Sequence, residues 1–276
     1  MHLLLWIILC AALGGIASAV FAIAFLWIPE EQSERLLPHF LSFATGALLG
    51  AAFLALLPEA IAGAGVHAGR ELGLALIGGL GLFFVIEKAV LWWHGQDSGL
   101  DSGAPRHAHE AHAHAHVHTH GHDHARHRAS GVLVLVGDSL HNALDGVLIS
   151  AAFLDSMSLG LLTTLAVAAH EVPHRVGDFA ILVHARWSRQ RALALNLATG
   201  LASVAGAIVA YFALGSARGA LPYALAVAAA GFLYIAVAGL IPGLHGKTDP
   251  RTSLVQVLLI AMGILVIAAA ERLAGL

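Results

Sequence analysis

The sequence predicts an all-α integral membrane protein, a bundle of eight transmembrane helices in a single domain spanning 1–276. Three observations predict it. Of the 276 residues, 58% are hydrophobic and only 11% charged, whereas a soluble domain carries about 25% charged residues. The apolar residues gather in eight windows, near 3–28, 37–62, 73–93, 131–154, 158–185, 190–214, 220–242 and 252–274. Each is long enough for a crossing, which takes roughly 20 residues of helix. Outside them no stretch is long enough for a separate soluble domain.

Taken in order, the first window contains Ala17-Ser18-Ala19 after an apolar run, which mimics a signal-peptidase site. The absence of Lys and Arg before it, and the continuation of the apolar run to Ile28, favour a membrane helix. The second window carries His39 and Glu59, candidates for the exit and the entrance of a polar path. Glu87 and Lys88 fall at the end of the third and are expected to cap or snorkel there. The lone Cys10 excludes a disulfide within the chain. Small-residue clusters such as Ser42-Phe43-Ala44-Thr45-Gly46 and Gly200 to Gly206 let helix backbones approach closely in lipid.

Residues 94–130 form a loop of different composition. It holds His107, His109, His112, His114, His116, His118, His120, His122, His124 and His127 in near alternation. Such a tract has no apolar face to bury and is expected to be disordered. Imidazole is the commonest protein ligand for zinc and similar ions, so the tract is expected to form weak, exchangeable metal sites. Charge placement orients the chain. Arg35, Arg106, Arg126, Arg128, Arg186, Arg189, Arg191, Lys247 and Arg251 follow the odd-numbered helices, against Arg70, Arg218 and Arg272 on the other side. The positive-inside rule then places the His-rich loop in the cytoplasm and both termini outside it. The expected location is a bacterial inner (plasma) membrane. The expected partners are divalent metal ions and the lipid bilayer, and no nucleic acid.

The informative residues lie inside the fourth and fifth windows. His141, Asn142 and Asp145 stand at spacings of three and four, as do His170, Glu171 and His174. Such pairs share one helix face. At the helical rise, His141 lies about 15 Å and His174 about 16 Å from the cytoplasmic ends of their helices, so both sets sit at one depth. Ionisable groups there cost several kcal/mol each unless paired, hydrated or bound to metal. If the helices are neighbours, His141, Asp145, His170 and His174 can surround one cation, with Asn142 and Glu171 beside a second. Mixed imidazole and carboxylate donors suit Zn²⁺, Fe²⁺, Mn²⁺, Co²⁺ or Cd²⁺ rather than Ca²⁺ or Cu⁺. Pro173 removes a helical hydrogen bond and frees the Ala169 carbonyl, which fits a bent helix beside a polar path. Asp138, Asp178 and His184 lie toward the cytoplasm, with His245 at another helix end. Arg175 is expected to pair with Glu171 or Asp178.

These motifs resemble the ZIP family of divalent-metal transporters. The resemblance rests on His141-Asn142-x-x-Asp145-Gly146, on His170-Glu171-x-Pro173-His174 followed by Gly177-Asp178, on Leu56-Leu57-Pro58-Glu59-Ala60, and on Gly231-Phe232-Leu233-Tyr234-Ile235-Ala236. It implies a carrier of zinc or related ions into the cytoplasm, a two-metal site between helices 4 and 5, and a homodimer. It implies no catalytic cofactor and no enzyme activity. Carried over, the first metal takes His141, Asp145, His170 and His174, and the second takes Asn142 and Glu171 with His174 shared. Arg175 stands where many members have Glu, and Gly239 and Gly243 where many have acids.

Two other readings compete. His170-Glu171-Val172-Pro173-His174 fits the H-E-x-x-H zinc-protease pattern, and Leu144-Asp145-Gly146 resembles the Asp motif of intramembrane zinc proteases. In that family the Asp motif follows the H-E-x-x-H helix, and here it precedes it. Zinc exporters of the cation-diffusion type also carry His-rich loops, but they resemble six helices with a soluble tail.

Overall fold

The computed structural model describes residues 2–26, 30–65, 67–96, 123–184, 187–244 and 249–274. Among these residues all regular structure is helical, in eight rods. They are α1 (His2–Leu26), α2 (30–64), α3 (Gly69–Gln96), α4 (Asp123–Asp155), α5 (Met157–His184), α6 (Arg189–Ser216), α7 (Arg218–Leu244) and α8 (Pro250–Ala274). Five of them, α2, α3, α6, α7 and α8, are long and apolar enough by composition to cross a membrane. α4 and α5 carry the charged side chains of the paired motifs instead.

Each rod overlies one apolar window, but α2 begins at Glu30 and α4 at Asp123, ahead of windows that start at 37 and 131. α3 runs on to Gln96 and α4 begins at Asp123, so both ends of the expected 94–130 loop are helical. Ala, His and Arg at 124–129 are compatible with helix, and hydropathy alone cannot register a helix that continues beyond the apolar layer. Residues 97–122, with most of the His tract, lie outside the described residues.

Tight turns join α2 to α3, α4 to α5 through Ser156 alone, and α6 to α7 through Ala217. These define the hairpin end of the bundle; Gln96 of α3 and Asp123 of α4 mark the opposite, loop end. α4 and α5 pack together at the centre. α4 also contacts α1, α6 and α7, and α5 contacts α1, α2, α6 and α8.

Two crossings are backbone against backbone. A side chain at Gly146 would place its Cβ 1.8 Å from the Ser203 carbonyl oxygen, and one at Gly206 2.0 Å from that of Ala143. These reciprocal glycines fix α4 on α6. Gly46 against Ile260 (2.0 Å) and Gly263 against Phe43 (2.4 Å) fix α2 on α8 in the same way. Lipid tails are as apolar as the side chains they would replace, so close van der Waals contact has to supply the association.

α2 and α7 each widen into one π-helical turn, Ala51–Leu56 and Ile235–Leu240. Each turn ends two residues before a proline, Pro58 and Pro242. Proline donates no amide hydrogen, and a shift to i→i+5 bonding takes up the disturbed carbonyls. The π turn of each rod packs against the other rod.

The main apolar core fills the hairpin half. It includes Ile7, Leu56, Leu148, Ile149, Phe153, Leu159, Leu225 and Phe232, all 3% exposed or less. A smaller cluster of Phe179, Leu182 and Ala192 lies toward the loop end.

Gly206→Val should lower the thermal unfolding midpoint of the purified protein sharply, since overpacking costs about 1–3 kcal/mol even where neighbours can yield. Gly81→Val, whose Cβ meets nothing within 4 Å, should change it little. Equal shifts for the two variants would refute the crossing argument.

Candidate metal centre

α4 and α5 bring four ligand-type side chains to one point: His141, Asp145, His170 and Glu171. His141 Nε2 and His170 Nε2 are 3.3 Å apart. Asp145 Oδ2 lies 3.4 Å from His170 Nε2 and 3.8 Å from His141 Nε2. Glu171 Oε2 lies 4.0 Å from His141 Nε2. A tetrahedral Zn²⁺ with bonds of about 2.0–2.1 Å would hold its ligands roughly 3.4 Å apart. The separations of His170 from His141 and Asp145, 3.3 and 3.4 Å, match such a shell, and those of His141 from Asp145 and Glu171, 3.8 and 4.0 Å, exceed it.

Their chemistry suits a cation. The His170 ring nitrogen Nδ1 donates to the Ala166 carbonyl at 3.2 Å, which leaves Nε2 with its lone pair toward the cluster, a common support for metal-binding histidine. Asp145 Oδ2 and Glu171 Oε2 are buried and accept no hydrogen bond. Buried carboxylate oxygens without a donor are rare and costly. His170, Glu171 and Asp145 are 1–2% exposed, and Phe232 packs on the His170 ring with centroids 6.3 Å apart.

The grouping differs from the spacing-based one in two places. His174 leaves the first cluster and joins Asp138 and Asp178, with Nδ1 3.3 Å from Asp178 Oδ2. Its ring stays beside His141, centroids 4.9 Å apart. Asn142 belongs to neither cluster. Its amide nitrogen donates to Asp138 Oδ1 at 2.8 Å, and its oxygen accepts from Arg175 at 2.9 Å.

Arg175 is the physical reason. It is fully buried, and its guanidinium must satisfy five donors. Nη2 contacts Asn142 Oδ1 and forms an ion pair with Glu171 Oε1 at 2.9 Å. Nη1 donates to the Asn196 carbonyl, to Asn196 Oδ1 at 2.9 Å and to Thr199 Oγ1 at 3.0 Å. Nε donates to Ser18 Oγ at 3.2 Å. Asp138 Oδ2 is 4.0 Å from Nη1. Of the two expected partners, Glu171 is the one engaged. Gly200 leaves the room, since a Cβ there would stand 3.1 Å from Nη2. Asn142 and one oxygen of Glu171, the expected core of a second metal site, thus bind a guanidinium.

Ser18, Asn196 and Thr199 were not legible as partners. Each is a single polar residue in an apolar helix. The available signal was Arg175 itself, because a buried arginine needs acceptors from its neighbours. Ser18 belonged to the cleavage-like Ala17-Ser18-Ala19 and instead anchors α1 to α5.

Neither His39 nor Glu59 joins a metal-ligand group among the described residues. His39 is exposed on α2. Glu59 is partly buried at the hairpin end, within electrostatic reach of Asp155 and Glu271. Glu87 does not cap α3, which continues to Gln96; it accepts a hydrogen bond from the Tyr234 hydroxyl on α7. Lys88 Nζ lies 5.6 Å from the Phe84 ring centre. His184 ends α5, with its side chain outside the described set. His107, His109, His112, His114, His116, His118, His120, His122 and His245 are outside the described residues. His124 and His127 stand on the first turns of α4.

An imidazole–carboxylate shell buried in an apolar helical bundle defines a membrane protein that handles divalent transition-metal ions. The chain belongs to the ZIP Zinc transporter family, whose profile matches residues 2–271. It is 36% identical to mouse zinc transporter ZIP13 over 95% of this chain and 79% of that protein. It is 32% identical to mouse zinc transporter SLC39A7 over 92% and 67% of the two chains. It is 34% identical to mouse zinc transporter ZIP4 over 84% of this chain and 42% of that one. This is a family of transporters, not enzymes. The geometry agrees: in H-E-x-x-H proteases both histidines hold one metal, whereas His170 and His174 point to separate clusters and Glu171 is held by Arg175.

Arg175→Gln should destabilise the protein by about 3–5 kcal/mol, the cost of leaving a buried charge without its partner. Arg175→Lys should rescue it only in part, because an ammonium cannot reproduce the planar fork. Thermal unfolding of the purified variants tests both, and a lysine variant as stable as the parent would contradict the network.

Proposed function

We propose that this protein carries Zn²⁺ across the membrane into the cytoplasm, with His141, Asp145, His170 and Glu171 as the central binding site between α4 and α5. The observation that supports the reading is a close set of four ligand-type side chains, three of them buried, in which Asp145 Oδ2 and Glu171 Oε2 accept no hydrogen bond. The relatives named as zinc transporters support the choice of metal. The pathway continues past His174, Asp138 and Asp178 toward the loop end, where the His-rich tract holds ions loosely. Glu59 marks the hairpin-end mouth. By the positive-inside bias the loop end is cytoplasmic and both termini are outside. All eight rods cross the bilayer, and in a bacterial plasma membrane the direction is uptake. α3 and α8, only 17% buried over their apolar windows, meet lipid or a second copy in a homodimer.

The bundle supports a state closed to the outside. The apolar core fills the hairpin half above the site, while the His174 side chain is 41% exposed. An ion at the central site cannot retreat through that layer without the helices moving.

Metal ligands must be deprotonated to bind, so uptake should fall as the outside is acidified. Asp145→Ala and His170→Ala should each abolish ⁶⁵Zn uptake in proteoliposomes while leaving insertion intact. Uptake at the parental rate in either variant would defeat the site assignment, and faster efflux would defeat the direction. Competition by Fe²⁺, Mn²⁺, Co²⁺ and Cd²⁺ in the same vesicles ranks the metals. Replacing the histidines of 107–127 by alanine should change the rate or its regulation and leave transport in place.

A further inference from the structure

At the hairpin end of the bundle, α1, α4, α6 and the first residue of α7 enclose a cavity of about 360 Å³. None of its lining residues belongs to a metal-ligand group. Its apolar walls are Leu3, Leu154, Tyr211 and Phe212. The Tyr211 and Phe212 rings meet edge to face, with centroids 5.3 Å apart, and Phe212 is 62% exposed on the outside of the bundle. Arg218 is the one charged residue of the lining, and it is exposed. The ion pairs of the described residues involve Arg175 and the histidines of the centre, and Arg218 is in none of them. The cavity thus joins an apolar surface to a cation that no carboxylate of the described residues neutralises.

The sequence sets the depth of this cavity. The apolar windows begin at 3 in α1, end at 154 in α4 and at 214 in α6, and resume at 220 in α7. Leu3, Leu154 and Phe212 therefore stand at the last apolar level, and Arg218 lies just beyond it. In a bilayer that level is the boundary between the hydrocarbon core and the headgroup layer, where a phospholipid carries its phosphate. We propose that the cavity binds one anionic phospholipid, with its phosphate at Arg218 and the upper part of an acyl chain against Leu3, Leu154 and Phe212. Guanidinium is the side-chain group best matched to a phosphate, because its planar fork can donate two parallel hydrogen bonds. Tyr211 adds an aromatic ring with a polar tip, the type of side chain that collects at this interface. A free phosphate ion would use the arginine and leave the apolar walls in water, whereas a lipid uses both. The position of the charge is also uncommon in this chain. Arg218 is one of three basic residues on the side opposite the His-rich loop, against nine on the loop side, so it works against the orienting bias and needs another use. The bound lipid would touch α1, α4 and α6, the rods that Arg175 joins deeper in the bundle through Ser18, Asn142 and Asn196. It would hold their hairpin ends together as Arg175 holds their middles.

Native mass spectrometry of the full chain in mild detergent, titrated with phosphatidylglycerol, tests the cavity. The parent should retain one lipid per chain. Arg218→Gln removes the charge, and Gly215→Leu fills the space, since a Cβ at Gly215 meets nothing within 4 Å. Each should weaken retention about tenfold, the scale of one charge-assisted contact. Gly219→Leu is the matched control: its Cβ also meets nothing within 4 Å, and it lies outside the lining. It should bind lipid as the parent does. Parental retention in either Arg218→Gln or Gly215→Leu, or an equal loss in Gly219→Leu, would overturn the proposal. Excess inorganic phosphate should leave the lipid in place; its displacement by phosphate would make this an anion site and not a lipid site. The thermal unfolding midpoint of the parent should rise with added phosphatidylglycerol, and the rise should shrink in both cavity variants. An undiminished rise would remove the clamp on α1, α4 and α6. Neither readout involves zinc, so both stand apart from the outcome of the transport experiments.

Discussion

A guanidinium with no solvent contact, deep in an apolar bundle, is the constraint around which the centre of this protein is built. Burying an arginine is tolerable only if its charge is paired and its donors are satisfied. Arg175 meets that demand with Ser18 from α1, Asn142 from α4, Glu171 from its own helix, and Asn196 and Thr199 from α6. Four helices are thereby held in one register. Gly200 is part of the arrangement because a larger residue would press on Nη2. The same residue shapes the electrostatics. Asp138, Asp145, Glu171 and Asp178 place four carboxylates in the cluster against one guanidinium.

The helices that hold this cluster are positioned by close backbone contact. α4 is pinned to α6 through Gly146 and Gly206, and Gly146 directly follows the ligand Asp145. A shift of that crossing would move Asp145 with it. α2 and α8 are pinned by the corresponding pair Gly46 and Gly263. α2 and α7 are joined instead through their π turns. A π turn carries one extra residue per turn and weaker axial restraint than the helix around it. The two pinned crossings give rigid arms, and the proline-terminated π turns give places where a rod can bend.

Much of the fold was legible in the sequence because lipid leaves few solutions: a long apolar run must be a helix. The ends of α3 and α4 were not, since helix beyond the apolar layer leaves no mark in hydropathy. The π turns left only Pro58 and Pro242 as traces. For the candidate site, i, i+3 and i+4 spacing put His141, Asp145, His170 and Glu171 on facing turns, and equal depth from the helix ends put them at one level. Spacing could not say which way each side chain leans. His170 and His174 share a face, yet one turns to Asp145 and the other to Asp178. The claim of Arg175 on Asn142 and Glu171 could likewise be read only with α1 and α6 in place.

The spacing of the central four atoms bears on why such a site would move an ion instead of keeping it. His141, His170 and Asp145 approach a tetrahedral edge at 3.3 and 3.4 Å, but Glu171 Oε2 is 4.0 Å from His141 Nε2. Closing that gap pulls Glu171 toward the ion while Arg175 holds its other oxygen at 2.9 Å. On the proposed assignment that carboxylate would be shared between the guanidinium and the transported ion, which would then receive less than a full ligand. A structural zinc site closes its shell and gains folding energy from it. A conduction path needs binding favourable enough to admit the ion and weak enough to release it. A buried arginine that holds one oxygen of Glu171 limits what that carboxylate can give a metal ion, and the same guanidinium faces Asp138.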